Sequence, residues 1–152
     1  MIYIFEGPDG SGKSTSARLL SAVTGYPESH FSQPKDEEEK KHMFEMYRQK
    51  LQESDNVIFD RSWMSELVYG PIFRGASALT NEQAAELCRI LAAKGGKMIY
   101  CNGSTEELAS RAFARGEDFV SREDFDAIVD GYHDMFDNKD IIGQLEVIDY
   151  EI

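Results

Sequence analysis

The sequence predicts an α/β fold, a five-stranded parallel sheet with helices on both faces, in one domain spanning residues 1–152. Three observations predict it. Short β-rich runs alternate with longer segments of helical period, the order that parallel strands joined by right-handed crossovers produce. The clearest of those runs are apolar throughout, as strands covered on both faces are. A chain of 152 residues, 41% hydrophobic and 29% charged, is long enough for one sizeable core and has a globular composition.

Residues 2–5 form the first strand, which runs into Gly7. Residues 13–23 read as a helix with Ala17, Leu19, Leu20 and Val23 as apolar positions, broken at Gly25-Tyr26-Pro27. A short second strand is expected over 29–32. Residues 36–53 form a charged helix with Met43, Phe44, Met46, Tyr47 and Leu51 on a partial apolar face, and its first charges read as a solvated start. The third strand, 56–60, carries Val57-Ile58-Phe59. A helix over 62–69 is expected to stop at Gly70-Pro71. Thr80, with Gln83 three residues on, opens a helix over 81–94 through a capping box, and Gly95-Gly96 ends it. Residues 97–101 are the fourth strand, and 105–115 a helix stopped by Gly116. Ser121 with Asp124 begins a helix over 121–136, and 145–148 closes as the fifth strand. No internal repeat, low-complexity tract or linker interrupts the series.

The formal charge of −12 repels polyanions, so extensive nucleic-acid binding needs a local basic groove. Small anionic substrates gathered by a few arginines suit it better. No apolar run approaches the roughly 20 residues that span a bilayer. The N-terminus lacks a basic region and reaches Gly7 at once, so a cytoplasmic chain with no signal peptide and no membrane partner is expected. Two cysteines and three scattered histidines supply neither a disulfide framework nor a metal cluster.

The chemistry is most legible in Gly7-Pro8-Asp9-Gly10-Ser11-Gly12-Lys13-Ser14, followed by Thr15, between a strand and a helix. It matches G-x-x-x-x-G-K-[ST] in full. With average residue usage, these fixed positions arise by accident in such a chain roughly once in 200 cases. Backbone N–H groups of this loop point at phosphate oxygens, and the helix turns its positive end on the same anion. Lys13 should reach the β- and γ-phosphates, and the Ser14 hydroxyl should hold Mg²⁺. ATP and Mg²⁺ are therefore the expected cofactors.

Asp60 and Arg61 stand where the third strand leaves the sheet, at the carboxyl edge where open α/β folds bind ligands. Arg61 can clamp an acceptor phosphate; Asp60 can hold Mg²⁺ through water or take a proton from an acceptor hydroxyl. Arg111 and Arg115 share a helix face beside Gly116, the pattern of a short lid (about 111–120) that swings over phosphates. Arg48 and Arg74, with Trp63, Tyr69 and Phe73, are candidates for acceptor binding, because aromatics stack on a base while arginines take its phosphate.

The run from Phe5 to Thr15 resembles the first motif of the thymidylate kinase family, which has deoxynucleoside kinases as relatives. Asp60-Arg61-Ser62 resembles that family's Asp-Arg pair after a strand. Ser65-Glu66-Leu67-Val68-Tyr69-Gly70 is similar to its acceptor helix, 69–75 to short phage-type members, and 111–116 with Tyr132 to the lid and the helix behind it. The resemblance spans most of the chain. It implies a three-layer P-loop NTPase fold of the nucleoside monophosphate kinase kind, a role for Asp9 in placing Mg²⁺ or the acceptor, a homodimer, and the host cytoplasm if a phage encodes the chain. Some thymidylate kinases have an arginine where this chain has Gly10, so a lid arginine, Arg115, is the expected source of that charge.

The chain also departs from the pattern. Its length trims the lid and acceptor regions. Where thymidylate kinases carry Arg-Glu-Pro and deoxynucleoside kinases a Glu-Pro with a basic glutamate, this chain has Ser32-Gln33-Pro34. Gln33 faces the acceptor in that register and cannot act as a base. The leading expectation is an ATP-dependent kinase that phosphorylates a nucleotide, dTMP-like, which needs no base. The alternative is a hydroxyl acceptor, a deoxynucleoside or a hydroxymethylated pyrimidine in phage DNA, with Asp60 as base. A regulatory ATP-binding module would be expected to have lost the Asp-Arg pair, and a GTPase to carry Asn-Lys-x-Asp; neither is the case.

Overall fold

The computed structural model describes residues 1–114 and 121–151. Its elements are β1 (Ile2–Glu6), α1 (Lys13–Thr24), β2 (Glu28–His30), α2 (Glu37–Glu53), β3 (Val57–Asp60), α3 (Trp63–Arg74), α4 (Asn81–Ala93), β4 (Lys97–Asn102), α5 (Thr105–Ala114), α6 (Arg122–Asp137), α7 (Lys139–Ile142) and β5 (Glu146–Glu151). All five strands are parallel in the order β2-β3-β1-β4-β5.

The apolar strands are buried on both sides because their side chains alternate. Ile2, Ile4, Val57, Phe59 and Met98 point into a core shared with α2, α3, α4 and α7. Phe5, Ile58 and Cys101 point the other way, against Ala17 of α1. That is the expected three-layer arrangement. Since β1 and β3 are neighbours, the turns leaving them lie side by side at the carboxyl edge, Ile4 pairing with Phe59 and Phe5 with Asp60. The phosphate loop and Asp60-Arg61 therefore meet in space although far apart in sequence.

The capping box at Thr80 and Gln83 forms, and Ser121 accepts the Asp124 N–H at the start of α6. Three expectations are corrected. The second strand covers Glu28–His30, two residues of the expected stretch, and the fifth runs over Glu146–Glu151 instead of 145–148. The third concerns α3, which does not stop at Gly70-Pro71 but continues to Arg74. Pro71 removes one helical hydrogen bond. The buried Glu66 carboxylate compensates by binding Arg74 and the N–H of Ala78 (2.8 Å), which fastens the chain leaving the helix back onto its middle. Gly70 makes that return fit: a Cβ there would collide with the Glu66 carboxylate and lie 3.0 Å from the Ala76 carbonyl.

Candidate active site

The loop from Gly7 to Gly12 curls at the end of β1 and delivers Lys13 into α1, 6% exposed. Burial lowers the Lys13 pKa and the neighbouring Arg61 lowers it further, against Asp9, Asp60 and Glu6. An ammonium held dry beside a guanidinium is a site that an anion would relieve. Lys13 Nζ is 3.6 Å from Asp9 Oδ1. Ser11 Oγ is another polar atom of the loop, buried without a partner among the described residues.

The Ser14 hydroxyl donates to Asp60 Oδ2 at 2.6 Å, and Asp60 Oδ1 is buried and unpartnered among the described residues. Two hard oxygen donors at the loop's end, one with a spare lone pair, fit Mg²⁺, which takes few protein ligands and completes its shell with water and phosphate. No cluster of three or more His, Cys, Asp or Glu competes for a metal among the described residues. His30 Nδ1 lies 3.6 Å from the same Asp60 oxygen.

Arg61 is the hinge between two sites. Its Nη2 donates to Asp9 Oδ1 at 2.6 Å, while Nη1 donates to Ser65 Oγ at 3.1 Å and to the Tyr132 hydroxyl at 3.3 Å. Its guanidinium carbon lies 5.1 Å from the Tyr69 ring centre. Burial works against its charge, but Tyr132, Tyr69, Glu6 and Asp9 outweigh burial and raise its pKa. Arg61 is therefore a fixed cation.

Beside Arg61 and Asp9 opens a cavity of about 610 Å³. Phe31, Tyr47, Tyr69 and Phe73 line it, with His30, Gln33, Asp9 and Glu66 as polar members. Tyr69 and Phe73 lie nearly parallel, 6.0 Å apart, and Phe31 and Tyr47 form a second pair at 4.6 Å. Apolar walls with a few placed polar groups are the makeup of a small-molecule site. A second cavity of about 490 Å³ lies against the outer side of the phosphate loop, where Gly10, Ser11, Gly12 and Thr15 meet Arg111 of α5 and Tyr150 of β5.

The fold thus gathers Asp9, Lys13, Ser14, Asp60 and Arg61 at one point, puts Gln33, Tyr69 and Phe73 on one cavity, and brings Arg111 to the other. Three expected acceptor contacts lie elsewhere. Trp63 is 1% exposed in the core, its edge against Tyr47, because the first turn of α3 faces the sheet. Arg48 lies along the outer face of α2, bonded to Glu45 and Gln52. Arg74 is spent on Glu66. Asp60 is bonded to Ser14 and does not line the larger cavity, whose carboxylates are Asp9 and Glu66, the latter held by Arg74. Arg115 and residues 115–120 of the expected lid lie outside the described residues. Gly10 is as small as the fold requires: a Cβ there, at φ 83, would lie 2.9 Å from both Ala112 N and Leu108 O of α5. An arginine at that position is thus sterically excluded.

Sequence reasoning passed over Glu6, Phe31, Tyr47 and Tyr150. The periodicity of a buried strand would have marked Glu6, a charge in an apolar run. The others come from elements whose faces only the packing decides.

The sequence matches the model of the polyphosphate kinase 2 (PPK2) family over residues 1–141. It is 35% identical over 140 residues to the SPbeta prophage-derived uncharacterized protein YorR of Bacillus subtilis (strain 168), covering 90% of this chain and 82% of YorR. The crystal structure of YorR in complex with phosphorylated GDP is similar at TM-score 0.84 and 29% identity, over 99% of this chain and 85% of that one. Deoxyadenosine kinase from M. mycoides is similar in fold at TM-score 0.62 and 20% identity, over 98% and 89% of the two chains. No helix among the described residues is long and apolar enough to cross a membrane. With its phosphate loop, its Asp-Arg pair and this likeness along most of its length, the chain is a P-loop phosphotransferase and belongs to the polyphosphate kinase 2 family.

Proposed function

We propose that the chain moves the γ-phosphoryl group of ATP onto the phosphate of a nucleotide, with a dTMP-like deoxynucleoside monophosphate as the first candidate. The observation that carries this is the position of Arg61, a half-buried cation bonded to Asp9 of the phosphate loop and lining an aromatic cavity. A monophosphate with its base among Phe31, Tyr47, Tyr69 and Phe73 would reach that guanidinium with its phosphate. The bound YorR ligand, phosphorylated GDP, supports a nucleotide in such a protein and adds guanine nucleotides to the candidates.

Lys13 and the N-terminus of α1 hold the donor phosphates, and Arg61 aligns the acceptor oxygen with the moving group. Ser14 and Asp60 would hold Mg²⁺, which would supply charge neutralisation to the donor phosphates. Arg111 approaches the donor from the second cavity, and Arg115 is the proposed lid cation. A phosphate acceptor is already ionised and needs no base. That favours it over a hydroxyl acceptor, because Asp60 is engaged by Ser14, and Asp9 faces both Arg61 and Lys13.

The family description raises polyphosphate as a phosphoryl donor. The charge of −12 and the few cations at the site support the compact donor, ATP. Replacing Arg61 with Ala tests the assignment. The KM for the acceptor should rise on the order of a hundredfold while the KM for ATP barely moves, as for loss of a charge-assisted phosphate contact. Equal effects on both substrates would move Arg61 to the donor side and remove the main support for this function.

A further inference from the structure

Glu6 ends β1 with a carboxylate that is fully buried. Among the described residues its partners are hydroxyls and one amide: Ser62 Oγ at 3.1 Å, Ser65 N at 2.7 Å, Ser65 Oγ at 2.6 Å and the Tyr132 hydroxyl at 3.5 Å. A carboxylate is costly to bury, so such a set of donors is a built feature rather than an accident of packing.

The proton inventory gives the set a direction. An ionised carboxylate only accepts, and a serine hydroxyl has one hydrogen. Ser65 gives its hydrogen to Glu6, which leaves its lone pairs facing Arg61 Nη1 at 3.1 Å and Tyr132 at 3.0 Å. Tyr132 then spends its one hydrogen on Ser65 at 3.0 Å, leaving Glu6 at 3.5 Å without it, and accepts from Arg61 Nη1 at 3.3 Å. One guanidinium nitrogen is thereby held by two oxygens whose orientation Glu6 sets. The other terminal nitrogen, Nη2, is left for Asp9 and the cavity. Arg61 is also the one non-glycine residue with positive φ (77°) among the described residues, a conformation that persists where surroundings impose it. Its own N–H is tied to Phe5 O at 2.9 Å, next to Glu6.

We propose that Glu6 is a positioning residue for Arg61, acting through Ser65 and Tyr132 to aim the guanidinium at the acceptor's phosphate. This rests on the acceptor role given to Arg61 above. Glutamine at position 6 would offer hydrogens where Glu6 accepts them, freeing the Ser65 hydrogen to point at the guanidinium and turning the contact against it.

The test uses the full chain with ATP and whichever of dTMP, dUMP, dCMP, dAMP and dGMP is phosphorylated fastest. Ser65→Ala and Tyr132→Phe should each raise the acceptor KM about tenfold with the ATP KM unchanged, and should add less than twofold in an Arg61→Ala background. A shared rise in both KM values, or losses that multiply with Arg61→Ala, would overturn the inference. The second arm needs no acceptor. The Arg61 Nη hydrogens of the free protein should give resolved NMR signals from hindered rotation, lost in Tyr132→Phe and Glu6→Gln; signals that survive in a folded variant would also overturn it. If Arg61→Ala itself leaves the acceptor KM unchanged, the acceptor role of Arg61 is what fails, and the NMR arm still decides whether Glu6 orders it.

Discussion

The Ser14 hydroxyl donates a 2.6 Å hydrogen bond to Asp60, joining the first turn of α1, where the phosphate-binding motif ends, to the last residue of β3. Neither is close to the other in sequence; the parallel pairing of β1 with β3 brings them together. If the pair holds Mg²⁺, Asp60→Asn should lower kcat by about 10²–10³ while the protein stays folded, the usual loss when one preorganised electrostatic contact is removed. Ser14→Ala should raise the Mg²⁺ concentration needed for half-maximal rate. Rates measured across a Mg²⁺ titration check both. A Ser14→Ala enzyme with an unchanged Mg²⁺ dependence would separate this pair from the metal.

The contact between Gly10 and α5 makes the phosphate loop sensitive to a single methyl. Gly10→Ala adds a Cβ at a left-handed φ and 2.9 Å from the α5 backbone. Strain of this kind costs on the order of 1–3 kcal/mol. Chemical denaturation should show that loss, and the KM for ATP should rise as the loop shifts. A variant as stable as the parent would mean that α5 yields to the loop.

The pH dependence of stability should carry the signature of Glu6. Burial lifts this carboxyl above its ordinary value of 4.5, and Arg61, Ser65, Lys13 and Ser62 offset the rise only in part. The folded state therefore holds the Glu6 proton more tightly than the unfolded chain does. Stability from this group is fully present below the unfolded value and is lost as pH rises toward the raised folded value. Glu6→Gln lacks that proton, so as pH rises past the ordinary value of 4.5 the stability difference should move in favour of the variant. Urea melts of both proteins at several pH values measure it. A difference that is flat, or moves toward the parent, contradicts the direction.

Cys88 and Cys101 are both free and buried, and burial pushes their thiols up to about 11 and about 12. Thiolate is the reactive form, so neither should be alkylated in the folded protein at neutral pH. Mass spectrometry after iodoacetamide should find no adduct on the native chain and both after denaturation. Rapid native labelling of Cys101, which packs against the phosphate-loop side of the sheet, would mean that β4 opens readily.

Local spacing made the centre of the site legible. Gly7 to Ser14 and Asp60-Arg61 occupy fixed offsets from strand ends, and a strand end in a parallel sheet has one place to be. Trp63, Arg48 and Arg74 were misjudged because residue type says what a side chain can do, while the face it takes depends on packing: Trp63 turns to the sheet, Arg48 to solvent, Arg74 to Glu66. The Glu66–Arg74 pair also explains why Gly70-Pro71 failed as a stop, since a contact between side chains eight residues apart outweighs the loss at proline. The cavity lining joins Phe31 and Tyr47 with Tyr69 and Phe73, side chains from three parts of the chain, and no periodicity within one element announces such a set.

The most direct test follows the phosphoryl group itself. The chain is incubated with Mg²⁺ and ATP labelled at the γ-phosphate, together with dTMP, dGMP, thymidine or hydroxymethyluracil-containing DNA, and the labelled product is separated and its phosphate position assigned. Transfer to a nucleotide phosphate predicts label in the β-phosphate of a nucleoside diphosphate, with thymidine and DNA unlabelled. Label on a nucleoside hydroxyl or on DNA, with every monophosphate left untouched, would contradict the account.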